Sequence, residues 1–263
     1  MIIVTGTKRS GTSMWMKVLG EAGLPILGSK FPSNWEKTIK EANLGGFYES
    51  RLRDGINFTT NPDPKTGFYI GPHKHESHVI KLFIPGLVRT DLAYVDKVVA
   101  TIRPWKEFCT SITRLRAMED AHRPVGEQAP VYLQPELEWW SENFSLIRDF
   151  SIRKYPLYMV AYDSVIENPE RVTKDIIKWI GIGNVENGYK VVSPSYRTQK
   201  GGIYTPISAI TDDIATVFDE LYERVKNQST LDNNFLIKLI DDNTLLTPVI
   251  SDEIKAAQTR TLK

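Results

Sequence analysis

The run Gly6-Thr7-Lys8-Arg9-Ser10-Gly11-Thr12-Ser13 has the residue types and spacing to handle a phosphate group. The apolar stretch Ile2-Ile3-Val4, with Thr5, leads into it, and a helical pattern of Met14, Trp15, Val18, Leu19 and Ala22 leads out. A buried strand, a Gly-bounded turn and a helix N-terminus together form an anion cradle. Successive backbone N–H groups face the ligand there, and the helix dipole favours negative charge. The run departs from the nucleoside-triphosphate loop G-x-x-x-x-G-K-[ST], because Thr12-Ser13 follows Gly11 with no Lys between. The cationic role passes to Arg9 or Lys8. An arginine clasps phosphate or sulfate through two hydrogen bonds. In a triphosphate-hydrolysing site a later apolar strand ends in a metal-holding Asp. Here the strand predicted over 97–102 ends at Arg103, which suits a second phosphate and repels a metal. A phosphate-bearing small molecule, bound without a metal, is the expectation.

Further residues extend the pattern. Arg103-Pro104 is followed by Ser111, eight residues after the arginine, and by Arg114. Tyr158-Met159-Val160-Ala161-Tyr162-Asp163-Ser164-Val165 runs on to Asn168-Pro169, and the helix after it ends Trp179-Ile180-Gly181-Ile182. Together, in this order over roughly residues 1–200, these segments resemble the sulfotransferases that use 3′-phosphoadenosine 5′-phosphosulfate, PAPS. The resemblance implies a P-loop-like sulfotransferase fold. It implies that Arg9, with Lys8, Ser10, Gly11, Thr12 and Ser13, holds the 5′-phosphosulfate, Arg9 stabilising the oxygen that leaves sulfur. It implies that Arg103 and Ser111 hold the 3′-phosphate, that Arg114 joins them one turn on, and that Tyr162 stacks near adenine. Eight helical residues span about 12 Å, so Arg103 has to precede the helix and reach forward. Ser195-Tyr196-Arg197-Thr198-Gln199-Lys200-Gly201 resembles the family's late basic segment. Gln199 stands where arginine is usual, leaving Lys200, with Arg197 as a substitute, as 3′-phosphate ligands implied by the resemblance.

Sulfuryl transfer needs a base for the acceptor's proton. Cytosolic members carry a His at the end of the second strand, where this chain has Lys81-Leu82-Phe83, and phenylalanine accepts no proton. Glu49, in Gly46-Phe47-Tyr48-Glu49, resembles an element of bacterial members and is the first replacement; it could equally pair with Arg51 or Arg53. His75, with His73 and His78 beside it, is the second. The His73–His78 run fits no standard zinc spacing. Two rival readings stay open: a P-loop small-molecule kinase using ATP·Mg, and a nucleotide-binding member without turnover.

These groups need a scaffold. Strands predicted at 1–5, 78–83, 97–102 and 157–161 alternate with helices at 11–22, 104–121, 135–153 and 169–181. That alternation argues an α/β, three-layer arrangement with a parallel central sheet flanked by helices. A capping box at Ser33-Asn34-Trp35-Glu36 predicts another helix ending near Gly45-Gly46. The irregular region of about 30–95 is the expected acceptor-binding region. The segment of about 205–263 is expected to be helical over 210–225 and 234–240, with a frayed end after Ala256. The whole 263 residues read as one domain. Lys plus Arg total 33 and Asp plus Glu 32, so no general attraction to nucleic acid or membrane is implied. The lone Cys109 excludes an intrachain disulfide and is expected to pack, as are Trp139 and Trp140. No apolar run has membrane-span length, and a cytoplasmic protein with a small-molecule or glycan acceptor is the expectation.

Overall fold

Apolar residues on both sides of a strand demand cover on both sheet faces, and the central strands here have that character. All five residues of β1 (Ile2–Gly6) are buried, as are the last five of β4 (Lys97–Ile102). The computed structural model describes residues 1–32, 35–124, 126–128, 130–193 and 204–261, with backbone alone at 35, 260 and 261. Five strands form one parallel sheet in the order β2-β3-β1-β4-β5, with β2 at Ile26–Leu27, β3 at Val79–Lys81 and β5 at Leu157–Ala161. Val4 is level with both Lys81 and Val99, and Ile102 is level with Ala161. All strands therefore end on one edge, and the chain moves outward from β1 in both directions. Such a switch point opens a crevice at the carboxyl ends of the strands.

Alternate residues feed the two faces. Ile2, Val4, Val99 and Val160 join α1 (Thr12–Glu21) and α7 (Pro169–Ile180), where Trp15, Leu19 and Ile176 are buried. Ile3, Ile80, Val98 and Ala100 join α3 (Ile84–Val88) and α5 (Pro135–Arg153) through Leu87 and Leu146. A third cluster links α4 (Trp105–Ala121) and α5 to α9 (Asp212–Lys226) and α10 (Asn233–Thr261). Phe218 is its centre, stacked on Trp140 at 4.8 Å and packed on Trp139 at 5.1 Å between ring centroids. The paired tryptophans and Cys109 are core.

Three predicted elements differ in extent. The capping-box helix is one turn, α2 (Trp35–Thr38), followed by a 3₁₀ turn at Lys40–Ala42; Ser33 and Asn34 lie outside the described residues. β3 is half the predicted length. The terminal helix continues to Thr261, through Pro248, where a short helix and a frayed end were expected. Phe235, Leu239, Leu246 and Ala257 are buried at four-, seven- and eleven-residue steps, one helix face, and that packing outweighs the proline. Two short helices had no clear sequence signal, α6 (Tyr162–Glu167) and α8 (Val185–Tyr189). Asn168 occupies the N-cap of α7, as the Asn-Pro pair predicts, but its side chain makes no capping bond.

Candidate active site at the strand ends

The loop from β1 to α1 is built by two glycines and a serine. Gly6 has φ +146°, and a Cβ there would come within 2.5 Å of the Thr101 carbonyl. That close approach lets Ser10 pin the loop to β4. Its hydroxyl lies 2.7 Å from the Thr7 carbonyl and 2.8 Å from Thr101 Oγ1, and its N–H donates to the Thr7 carbonyl. The Ser10 hydroxyl and N–H thus tie the loop to itself and to β4. Gly11, at φ +107°, lies against Tyr162, and a Cβ would meet its ring at 2.7 Å. Thr12 and Ser13 begin α1, whose first turn carries no acid. Their N–H groups, in the first turn, have no intrahelical acceptor, and both residues line the cavity at the positive end of the dipole.

The arginines meet above this loop. Arg9, in the left-handed region at φ 69°, donates from Nε to Ser111 Oγ at 3.2 Å and from Nη2 to the Ala42 carbonyl at 2.6 Å. Burial, then the neighbouring Arg103, pushes its pKa down to about 10, so it stays charged at neutral pH. Arg103 precedes α4, as the reach argument requires. Its Nε and Nη2 donate to Glu107 Oε2 at 3.2 and 3.1 Å, and Nη1 donates to the Arg9 carbonyl at 3.3 Å. Its guanidinium lies 5.0 Å from the Tyr162 ring centroid, and Trp139 Nε1 holds its carbonyl at 2.9 Å. The loop and the Arg103 segment, 94 positions apart, form one cluster. Ser111 joins it through Arg9. Arg114 is exposed one turn along α4 and acts on Arg9 by charge alone.

Across a cavity of about 340 Å³ stand Glu49 and Lys81. Glu49 is placed by an isolated bridge in which the Ser29 N–H donates to its carbonyl at 2.8 Å. Its Oε1 meets Lys81 Nζ at 2.7 Å, while its Oε2 is buried and has no hydrogen bond. Lys81 Nζ also donates to Ser13 Oγ at 3.2 Å and to the Phe47 carbonyl. Burial lowers the Lys81 pKa, and the Glu49 carboxylate opposes that. Lys81 is the buried cation on this cavity that sequence reasoning passed over. The signal was present: a lone lysine inside Val79-Ile80-Lys81-Leu82-Phe83 has to be buried, and a buried ammonium needs a partner. Lys8 is exposed with Nζ 5.5 Å from the Phe83 ring centroid, and Arg53 lies 5.9 Å from the same ring.

The chain shares a likeness with a solved sulfotransferase. It is STF1 from Mycobacterium tuberculosis H37Rv, 15% identical, aligned over 73% of this chain and 71% of that one, with a TM-score of 0.41. A likeness of that degree assigns neither activity nor ligand. No family model and no curated protein matches the chain.

His75 is not brought to this cavity. Its Nδ1 is 2.9 Å from the Gly71 carbonyl and its ring is 4.7 Å from that of His78. His78 precedes β3, and its carbonyl accepts from Ile2 N–H at the amino end of the sheet, the edge opposite the cavity. The separation follows from polarity: a residue before a parallel strand cannot reach its carboxyl end. Among the described residues no group of three or more His, Cys, Asp or Glu is placed to hold a metal, and no helix is long and apolar enough to cross a membrane. Arg197 and Lys200 lie outside the described residues.

Proposed function

We propose that the chain is a sulfotransferase that moves a sulfuryl group from PAPS to a hydroxyl or amine of a small-molecule or glycan acceptor. The observation that carries this reading is the meeting of Arg9, Lys81 and Arg103 with the Glu49 carboxylate around one cavity, at the head of an acid-free helix N-terminus. PAPS supplies a sulfuryl group already joined to a phosphate leaving group. The Thr12 and Ser13 N–H groups, Arg9 and Lys81 fit the 5′-phosphosulfate. Arg103 and Ser111 fit the 3′-phosphate, with Tyr162 beside the base.

Glu49 Oε2 takes the acceptor's proton as the acceptor oxygen or nitrogen forms its bond to sulfur. The sulfur–oxygen bond to the 5′-phosphate breaks, and its electron pair stays on the phosphate oxygen. Arg9 stabilises that oxygen, having exchanged the Ala42 carbonyl for it, and Lys81 offsets charge on the sulfuryl oxygens. A preorganised cation at a developing charge contributes roughly 3–4 kcal/mol to such a barrier. Residues of about 30–95 supply the acceptor wall, with Glu49, Arg53 and Phe83 on the cavity.

Calorimetric titration with 3′-phosphoadenosine 5′-phosphate (PAP), with ATP·Mg in parallel, tests the assignment. Tight PAP binding lost in Arg103→Ala, and PAP release from PAPS with an acceptor panel lost in Arg9→Ala, are expected. Preference for ATP·Mg would replace this reading with a kinase. PAP binding with turnover intact in Arg9→Ala would overturn the role of Arg9.

A further inference from the structure

Glu107 is the one carboxylate in hydrogen-bond contact with the arginine cluster among the described residues. It sits one turn after Arg103, and the side chains of Arg103 and Glu107 are only 6% and 12% exposed. The Arg103 fork closes on a single oxygen, Oε2, through Nε and Nη2. The Tyr162 ring and the Arg9 carbonyl hold the guanidinium from two other sides. Its orientation is therefore fixed, with Nη1 on the side away from Glu107 Oε2. Arg103 and Arg114 both act on Arg9 by like charge, so the cluster is strongly cationic.

We infer that Glu107 sets how strongly the site prefers a nucleotide carrying a 3′-phosphate, because its carboxylate already neutralises the arginine that phosphate requires. This inference rests on the sulfotransferase reading, in which Arg103 holds the 3′-phosphate. A phosphate arriving at the outer edge of Arg103 faces a second anion on the same guanidinium. At this degree of burial water screens their repulsion weakly. A carboxylate in contact with the binding cation thus moderates the discrimination that Arg103 would otherwise exert. Arg9 donates to Ser111 and the Ala42 carbonyl rather than to Glu107, so the 5′-phosphate contacts feel this competition less.

The test is calorimetric titration of PAP and of adenosine 5′-monophosphate, which lacks the 3′-phosphate, on the full chain and its variants. Glu107→Gln keeps an oxygen to accept from Nε and removes the charge. The ratio of PAP to monophosphate affinity is expected to rise about tenfold, most of the change falling on PAP. Glu107→Ala also removes the charge and is expected to raise the ratio, which covers the case where the glutamine folds poorly by thermal melt. In Arg103→Gln/Glu107→Gln the ratio is expected to fall below that of the unsubstituted chain. An unchanged or lowered ratio in both single variants overturns the inference. If Arg103→Gln alone still abolishes the PAP preference, the sulfotransferase reading survives that failure. If the unsubstituted chain binds neither nucleotide, both fall.

Discussion

Replacing Lys81 by methionine separates what the buried pair does for stability from what it does for function. Lys81 and Glu49 are 3% and 6% exposed and meet at 2.7 Å. Removing the ammonium leaves the Glu49 carboxylate in the interior with both oxygens unpartnered, since Oε2 has no hydrogen bond to begin with. Breaking one side of such a pair costs about 3–5 kcal/mol, whereas replacing both partners by apolar groups of similar volume is close to neutral. Lys81→Met should therefore lower the melting temperature by about 5–10 °C for a chain of this size. Lys81→Met/Glu49→Leu should recover most of that loss and still release no PAP from PAPS. Urea and thermal melts give the three stabilities, and the double-mutant cycle gives the coupling. A Lys81→Met cost under about 1 kcal/mol would refute the reasoning, because the pair would then be solvated. A double variant that loses the sum of the two single costs would refute it equally.

Four other variants probe the frame. Gly11→Ala adds a Cβ 2.7 Å from the Tyr162 ring at φ +107°, while Gly23→Ala meets nothing within 4 Å at φ +98°. Both pay roughly 1–3 kcal/mol of backbone strain, so urea melts should show the larger loss for Gly11→Ala, and calorimetry should show PAP binding lost only there. Phe218→Ala empties the ring-lined centre of the α4–α5–α9 cluster and should cost about 3–5 kcal/mol by chemical denaturation. Glu142, whose Oε2 is buried without a partner, has its pKa raised from 4.5 to about 8, chiefly by burial and then by Glu138. The folded chain then holds a proton that the unfolded chain releases. The resulting stability is present below pH 4.5 and is lost as pH rises towards 8, up to about 5 kcal/mol. Glu142→Gln should flatten that slope and exceed the unsubstituted chain above pH 8; superimposable pH–stability curves would show that the carboxyl is solvated.

Legibility in the sequence follows where local pattern and tertiary packing agree. The Lys97–Ile102 strand, α4 and α5 lie within a residue of the bounds their patterns predict, because apolar period and proline placement point the same way. α10 was misread because its exposed Ile237, Ile240 and Leu245 blur the stripe and Pro248 reads as a stop. Its buried face is defined only by helices distant in sequence. The short edge strand Ile26–Leu27 carries no pattern of its own and forms by pairing with β3.

The site was legible to the extent that chemistry sits next to backbone geometry. Gly6 and Gly11 mark the turn because the Thr101 carbonyl and the Tyr162 ring leave no room for a Cβ, so the loop announces itself. The direction of the Arg9 side chain could not be read the same way. It is set by Ser111, 102 positions away, and by the Ala42 carbonyl, both supplied by segments that approach only in the folded chain. The candidate base was ambiguous for a related reason: Glu49 came first and His75 second on residue type and resemblance, and strand polarity sends one to the cavity and the other to the opposite edge of the sheet. Lys81 is the instructive case. A charged residue in a buried strand has to be paired, and the partner could have been sought among the acids of the irregular region at about 30–95. Glu49, flanked by apolar Phe47 and Leu52, is the acid there with the least access to water. The cost of burying a charge therefore carries positional information that hydrophobic periodicity does not.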